Sequence, residues 1–130
     1  MTIIEFEKIL MTMLLSGDDP ILKGLREQYE RCTVESREFT GAGFYTNFVV
    51  DFKQNPVAGG KSFQLGDVNG NIKGILDALG FVVFIKDGFL SFLEGYSNLV
   101  DFWPEDYSGI ELTYDSGLNR DIGKLVQTWK

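Results

Sequence analysis

The stretch from Gly80 to Gly95, GFVVFIKDGFLSFLEG, constrains this chain more than any other. Phe81-Val82-Val83-Phe84-Ile85 is an unbroken apolar run, the pattern of a central strand. Lys86-Asp87-Gly88-Phe89 then supplies a hairpin turn, because Asp-Gly reaches positive φ at small cost. Phe89 to Gly95 returns as a second strand. Strict alternation puts Leu90, Phe92 and Glu94 on one face and Phe89, Ser91, Leu93 and Gly95 on the other. With Leu90 and Phe92 as its neighbours on that face, Glu94 is expected to point inward.

What precedes the hairpin changes period part-way. Thr2 to Leu15 has helical spacing, with Ile3, Phe6, Ile9, Leu10 and Met13 as the buried face. Asp18-Asp19-Pro20 opens a second helix with a capping acid and an early proline, and Leu22, Leu25 and Tyr29 form its stripe. Cys32 closes it. Thr33 to Thr40 alternates loosely, as a strand with one wet face does. Gly41-Ala42-Gly43 turns, and Phe44 to Phe52 is an aromatic and β-branched strand. Asn55 to Gly60 is a loop. Phe63 to Val68 reads as a short strand ended by an Asn69-Gly70 turn. Asn71 to Leu79 is ambiguous: Ile72, Ile75, Leu76 and Leu79 have helical spacing, but over two turns at most.

After the hairpin, Ile110 to Tyr114 is a last short strand and Leu118 to Lys130 a C-terminal helix. Helices first and strands afterwards predict an α+β fold, with two N-terminal helices before an antiparallel sheet of about five to six strands. No repeat or linker divides the 130 residues, so a single domain, 1–130, is expected.

Composition excludes more than it offers. The chain has no histidine and one cysteine. The commonest general base and metal ligand is therefore missing, and serine–histidine and cysteine–histidine nucleophiles are excluded. A lone thiol makes no internal disulfide and no zinc site. No metal and no cofactor is expected. The apolar run Ile9 to Leu15 follows Glu5 and Glu7 rather than a basic segment, so no signal peptide is read. No apolar stretch reaches the roughly 20 residues that span a bilayer. A cytoplasmic location and no membrane partner are the expectations.

The charge is lopsided. From Asp87 to Asp121 stand eight acids and one base, Arg120, so that quarter of the chain carries the whole net charge of −7. Such a field repels nucleic acid and attracts a cationic partner. Tyr96 to Tyr107, YSNLVDFWPEDY, adds four aromatics that offer contact area at small entropic cost. Tyr96, Asp101, Trp103, Glu105, Asp106 and Tyr107 are the candidate partner-binding residues; the bland reading folds the aromatics onto the core.

Other candidates are weaker. Asp67-Val68-Asn69-Gly70-Asn71 begins like a calcium loop but has Ile72 where glycine is required and Ala78 where glutamate is required. Gly41 and Gly43 lead into a strand, not into the helix start that a phosphate loop needs. Arg37 suits a cross-strand ion pair or a pairing with Glu94. An inward Glu94 is a candidate ligand-binding or catalytic acid, since burial raises a carboxyl pKa; with Asp101 or Glu105 it forms a candidate glycosidase pair.

Four segments carry a resemblance. Ser36–Phe48 (SREFTGAGFYTNF), Leu65–Val68 (LGDV), Gly80–Tyr96 (GFVVFIKDGFLSFLEGY) and Trp103–Glu105 (WPE) together resemble a family of small, uncharacterised bacterial proteins. The resemblance covers about half of the chain and implies a compact α+β fold without an established activity. Similar small acidic proteins serve as immunity partners of secreted toxins. It assigns no residue a role. Two readings follow: an acidic binding protein, immunity-like, for a basic partner, with self-association also open; or a small-ligand binder or hydrolase using Glu94 and Arg37 in an aromatic-lined cleft.

Overall fold

The computed structural model describes residues 1–51, 53–99, 102–115 and 120–123. Two helices, α1 (Ile3–Leu14) and α2 (Pro20–Arg31), precede six strands: β1 (Thr33–Phe39), β2 (Gly43–Val49), β3 (Phe63–Ile72), β4 (Ile75–Lys86), β5 (Phe89–Ser97) and β6 (Ile110–Tyr114). The strands form one sheet in the order β1-β2-β5-β4-β3-β6, antiparallel throughout. The α+β class and both N-terminal helices are as expected. Most of the segment expected to form a C-terminal helix, Leu118 to Lys130, lies outside the described residues.

Local chemistry explains the helix ends. Thr2 caps α1 through a reciprocal box: its hydroxyl accepts from the Glu5 amide at 3.1 Å, and Glu5 Oε1 accepts from the Thr2 amide at 3.4 Å. Asp19 caps α2 by accepting from the Ile21 amide at 2.8 Å, with Pro20 in the first turn. At the far end of α1, guanidinium groups take up the carbonyls that a helix leaves unpaired. Arg26 donates to the Leu15 and Gly17 carbonyls, and Arg120 to those of Met13, Leu14 and Ser16.

Three expectations are corrected. The buried face of α1 is Phe6, Glu7, Leu10, Met11 and Leu14, while Ile9 is exposed. The face is thus turned toward a carboxylate that finds its partner 30 residues later. Second, β3 runs straight through Asn69-Gly70. The turn is Lys73-Gly74, both at positive φ, and Ile75–Leu79 is strand, not helix. Gly70 is needed for closeness: a Cβ there would meet the Ile110 side chain at 2.9 Å and the Leu79 and Phe81 side chains at 3.2 Å. Third, Phe84 pairs with Phe92 but Ile85 with Leu90, leaving Ser91 as an extra residue on β5. This bulge puts Leu90 and Leu93, both buried, on the same side, and sends Phe92 and Glu94 to the other.

The core lies between the helices and one face of the sheet. Phe44, Phe63, Leu65, Phe81, Val83, Ile85 and Leu93 meet Phe6, Leu10, Leu14, Leu22 and Leu25 there. The buried Gln28 ties α2 to the hairpin. Its Nε2 donates to the Asn55 carbonyl at 3.0 Å and the Gly88 carbonyl at 2.9 Å, and its Oε1 accepts from the Leu90 amide at 2.9 Å. Among the described residues no helix is long and apolar enough to cross a membrane.

Candidate functional site

The face of the sheet turned away from the helices carries the charge. Register assembles it in cross-strand rows. Glu38, Tyr45, Glu94 and Val82 lie side by side on β1, β2, β5 and β4. Tyr96, Gly80, Asn69 and Thr113 form the next row on β5, β4, β3 and β6. Asn71 and Glu111 follow beyond it. Asn47, Phe92, Phe84 and Gln64 make a row on the opposite flank. No described helix lies over these rows.

Each side chain is held by its neighbours. The Tyr45 hydroxyl donates to Glu94 Oε2 at 2.9 Å. Phe84 and Phe92 stack at 4.4 Å, with Tyr45 at 6.0 Å from Phe92. The Tyr96 ring covers Gly80, where a Cβ would fall within 2.2–2.6 Å of ring and hydroxyl atoms. Glycine lets that ring lie against the backbone, the arrangement known as aromatic rescue. Asn69 Nδ2 donates to Asp115 Oδ1, and Asn71 Nδ2 to Glu111 Oε1 at 3.2 Å.

The phenols and carboxyls feel the crowding. Tyr45 is pushed above the usual tyrosine range by its hydrogen bond to Glu94 and then by the Glu94 and Glu38 charges. Burial raises Tyr96, and Asp115 and Glu94 raise it further. Asp115 is raised by burial and by the charges of Asp77 and Asp67. Both ion pairs among the described residues, Glu7–Arg37 and Asp67–Arg120, lie elsewhere. None involves Glu38, Asp77, Glu94, Glu111 or Asp115.

The helix side is the opposite case. Glu7, 3% exposed, accepts from Arg37 Nε at 3.1 Å, Arg37 Nη2 at 3.0 Å and Thr46 Oγ1 at 2.7 Å. Beside it Tyr29 is pushed up to about 12, first by burial and then by the Glu7 charge. Asp67, 4% exposed, accepts from Arg120 Nε at 2.7 Å and Nη2 at 2.9 Å, and the guanidinium lies 4.8 Å from the Tyr114 ring centre. Arg37 is therefore taken by Glu7, not by Glu94 or a cross-strand acid. That pairing needed the position of Glu7 on α1, which strand alternation does not reveal.

The sheet divides the residues expected to form one partner surface. Tyr96 is on the outer face and 39% exposed. Trp103 and Tyr107 turn to the core. Tyr107 stacks on Phe6 at 4.9 Å, and Trp103 meets Phe44 and Phe81 edge-on at 5.6 and 6.4 Å. The Trp103 indole donates to the Tyr107 hydroxyl at 3.3 Å. Glu105 and Asp106 are exposed in the intervening loop. Asp106 accepts from the Ser108 hydroxyl at 2.6 Å and amide at 3.0 Å, bonds that lower its pKa. Asp101 lies outside the described residues. Asp87 stands at the tip of the β4–β5 hairpin, at the far end of β5 from Tyr96. Glu94 is on the open face, not inward as expected. No group of acids, cysteine or histidine suited to a metal occurs among the described residues.

No family model, no curated protein and no solved structure matches this chain.

Proposed function

We propose that this protein is a small acidic cytoplasmic binding protein, an immunity-type inhibitor that docks a basic partner protein on the outer face of its sheet. The observation that carries the reading is the set of five acids on or beside that face, Glu38, Asp77, Glu94, Glu111 and Asp115. None has an ion pair among the described residues. A carboxylate left without a cation in the free protein retains its full attraction for one brought by a partner. Tyr45, Phe92 and Tyr96 supply rigid aromatic contact area among those charges, the side-chain type that dominates binding energies. Arginine or lysine seated over such rings gains cation–π attraction as well. The resemblance of Ser36–Glu105 to small bacterial proteins supports an immunity-like role by analogy only. Nucleic acid is repelled by the same field.

A ligand-binding or hydrolytic role for Glu94 has less support. The carboxylate is held by a phenol, and Arg37, the cation expected beside it, is engaged by Glu7.

The test uses immobilised protein beside a variant carrying Glu38→Gln, Glu94→Gln and Asp115→Asn. Polylysine and proteins of the native host are passed over both. Wild type is expected to retain polylysine and one identifiable basic host protein at low salt and release them at high salt, since screening shortens the field's reach to about 3 Å at 1 M. The triple variant is expected to retain neither. Equal retention by both proteins, or retention unaffected by salt, overturns the reading.

A further inference from the structure

A second site stands apart from the outer face. A cleft of about 480 Å³ opens between the end of β3 and the loop leading into β6, lined by Ile72, Lys73, Phe102 to Asp106, Gly109 and Ile110. Its volume falls within the range of small-molecule sites, and its walls have their usual character: mostly apolar, with few polar groups. Ile72, Phe102, Trp103, Pro104 and Ile110 make those walls. Trp103 is fixed from behind by Phe44, Phe81 and its bond to Tyr107. The surface is thus preformed, not dependent on a collapsing side chain.

Three charged groups stand at the mouth, Lys73, Glu105 and Asp106. Lys73 sits at φ +47 on the β3–β4 turn, and neither it nor Glu105 has an ion pair among the described residues. Asp106 is held ionised by its bonds from Ser108. Two carboxylates against one ammonium leave the mouth with a net negative charge, above an indole and a phenyl ring. An aromatic wall under an acidic rim favours a cation carried on an apolar body. We propose that this cleft binds a small organic cation, an amine on a short aryl or alkyl body. It is independent of the outer face.

The experiment uses the full chain with Trp129→Phe, so that Trp103 is the single tryptophan, and follows its fluorescence at low salt. Three probes share one body: phenethylamine, phenylethanol and phenylacetate. Phenethylamine is expected to saturate the signal with a Kd on the order of 1 mM, as befits so few atoms. Phenylethanol should bind about fivefold more weakly and phenylacetate not measurably, in keeping with one exposed charge interaction. Glu105→Gln, at an exposed position, should erase most of the amine's advantage over the alcohol, and Lys73→Gln should enlarge it. Glu94→Gln should change nothing, which separates this site from the outer face. Indifference to probe charge, no saturation by the amine, or an advantage that survives Glu105→Gln overturns the proposal.

Discussion

The two faces of the sheet treat charge in opposite ways. On the helix side each buried acid is matched: Glu7 by Arg37 and Thr46, Asp67 by Arg120. On the outer side Glu94 accepts from a phenol and Glu111 and Asp115 from amides, and none of them, nor Glu38, has an ion pair among the described residues. Desolvation explains the first pattern, since an unmatched charge inside costs several kcal/mol. Nothing in folding requires the second. Stability is concentrated in the matched face, and the capacity to attract is left on the other.

That contrast can be broken in four places, beginning with the largest effect. Arg120→Met leaves Asp67 buried without its cation and removes one of the donors to the Met13, Leu14 and Ser16 carbonyls at the end of α1. Unfolding in urea is expected to show a loss of about 3–5 kcal/mol; a loss below 1 kcal/mol would erase the distinction between the faces. Gln28→Leu strands the buried Leu90 amide and takes one donor from the Gly88 carbonyl, which keeps the Val57 amide, at a cost of about 1–3 kcal/mol in the same measurement.

The outer face should respond the other way round. Glu94→Gln is expected to alter stability by no more than about 0.5 kcal/mol, while polylysine binding at low salt falls severalfold. A large stability loss would mean that Glu94 belongs to the scaffold. The smallest effect is a gain. The Asp115 carboxyl pKa is raised in the fold, so its contribution to stability is fully present below the unfolded value and is lost as pH rises through the folded one. Asp115→Asn, which keeps an oxygen for Asn69, should raise Tm by about 1–3 °C at pH 7. That gain should vanish near pH 3, where the native carboxyl is protonated as well. An equal gain at both pH values would trace it to something other than charge.

Some of this arrangement is legible in the residues and some is not. The apolar run Phe81–Ile85 and the Asp87-Gly88 turn specify the central hairpin because pattern and turn chemistry agree. Asn69-Gly70 misleads, since Gly70 answers to packing against Ile110, Leu79 and Phe81 instead of to a turn. Ile75–Leu79 has helical spacing, yet pairing with β3 overrides it. The orientation of Glu94 depends on one unpaired residue, Ser91, and a bulge leaves no signature in an alternation pattern. Glu7 reads as a misplaced acid until Arg37 and Thr46 are beside it. The acidic bias from Asp87 to Asp121 is plain in the residues, but its division between outer face, loop and hairpin tip follows from the sheet.

The Arg120 clasp also bears on how the chain comes into being. Met13 leaves the ribosome 107 residues before the guanidinium that will hold its carbonyl. Until then the carboxylate of Asp67 lacks its cation, while the end of the first helix has Arg26 for the Leu15 and Gly17 carbonyls. A nascent chain therefore carries Asp67 unmatched through most of its synthesis, and this clasp closes only after β6 has emerged.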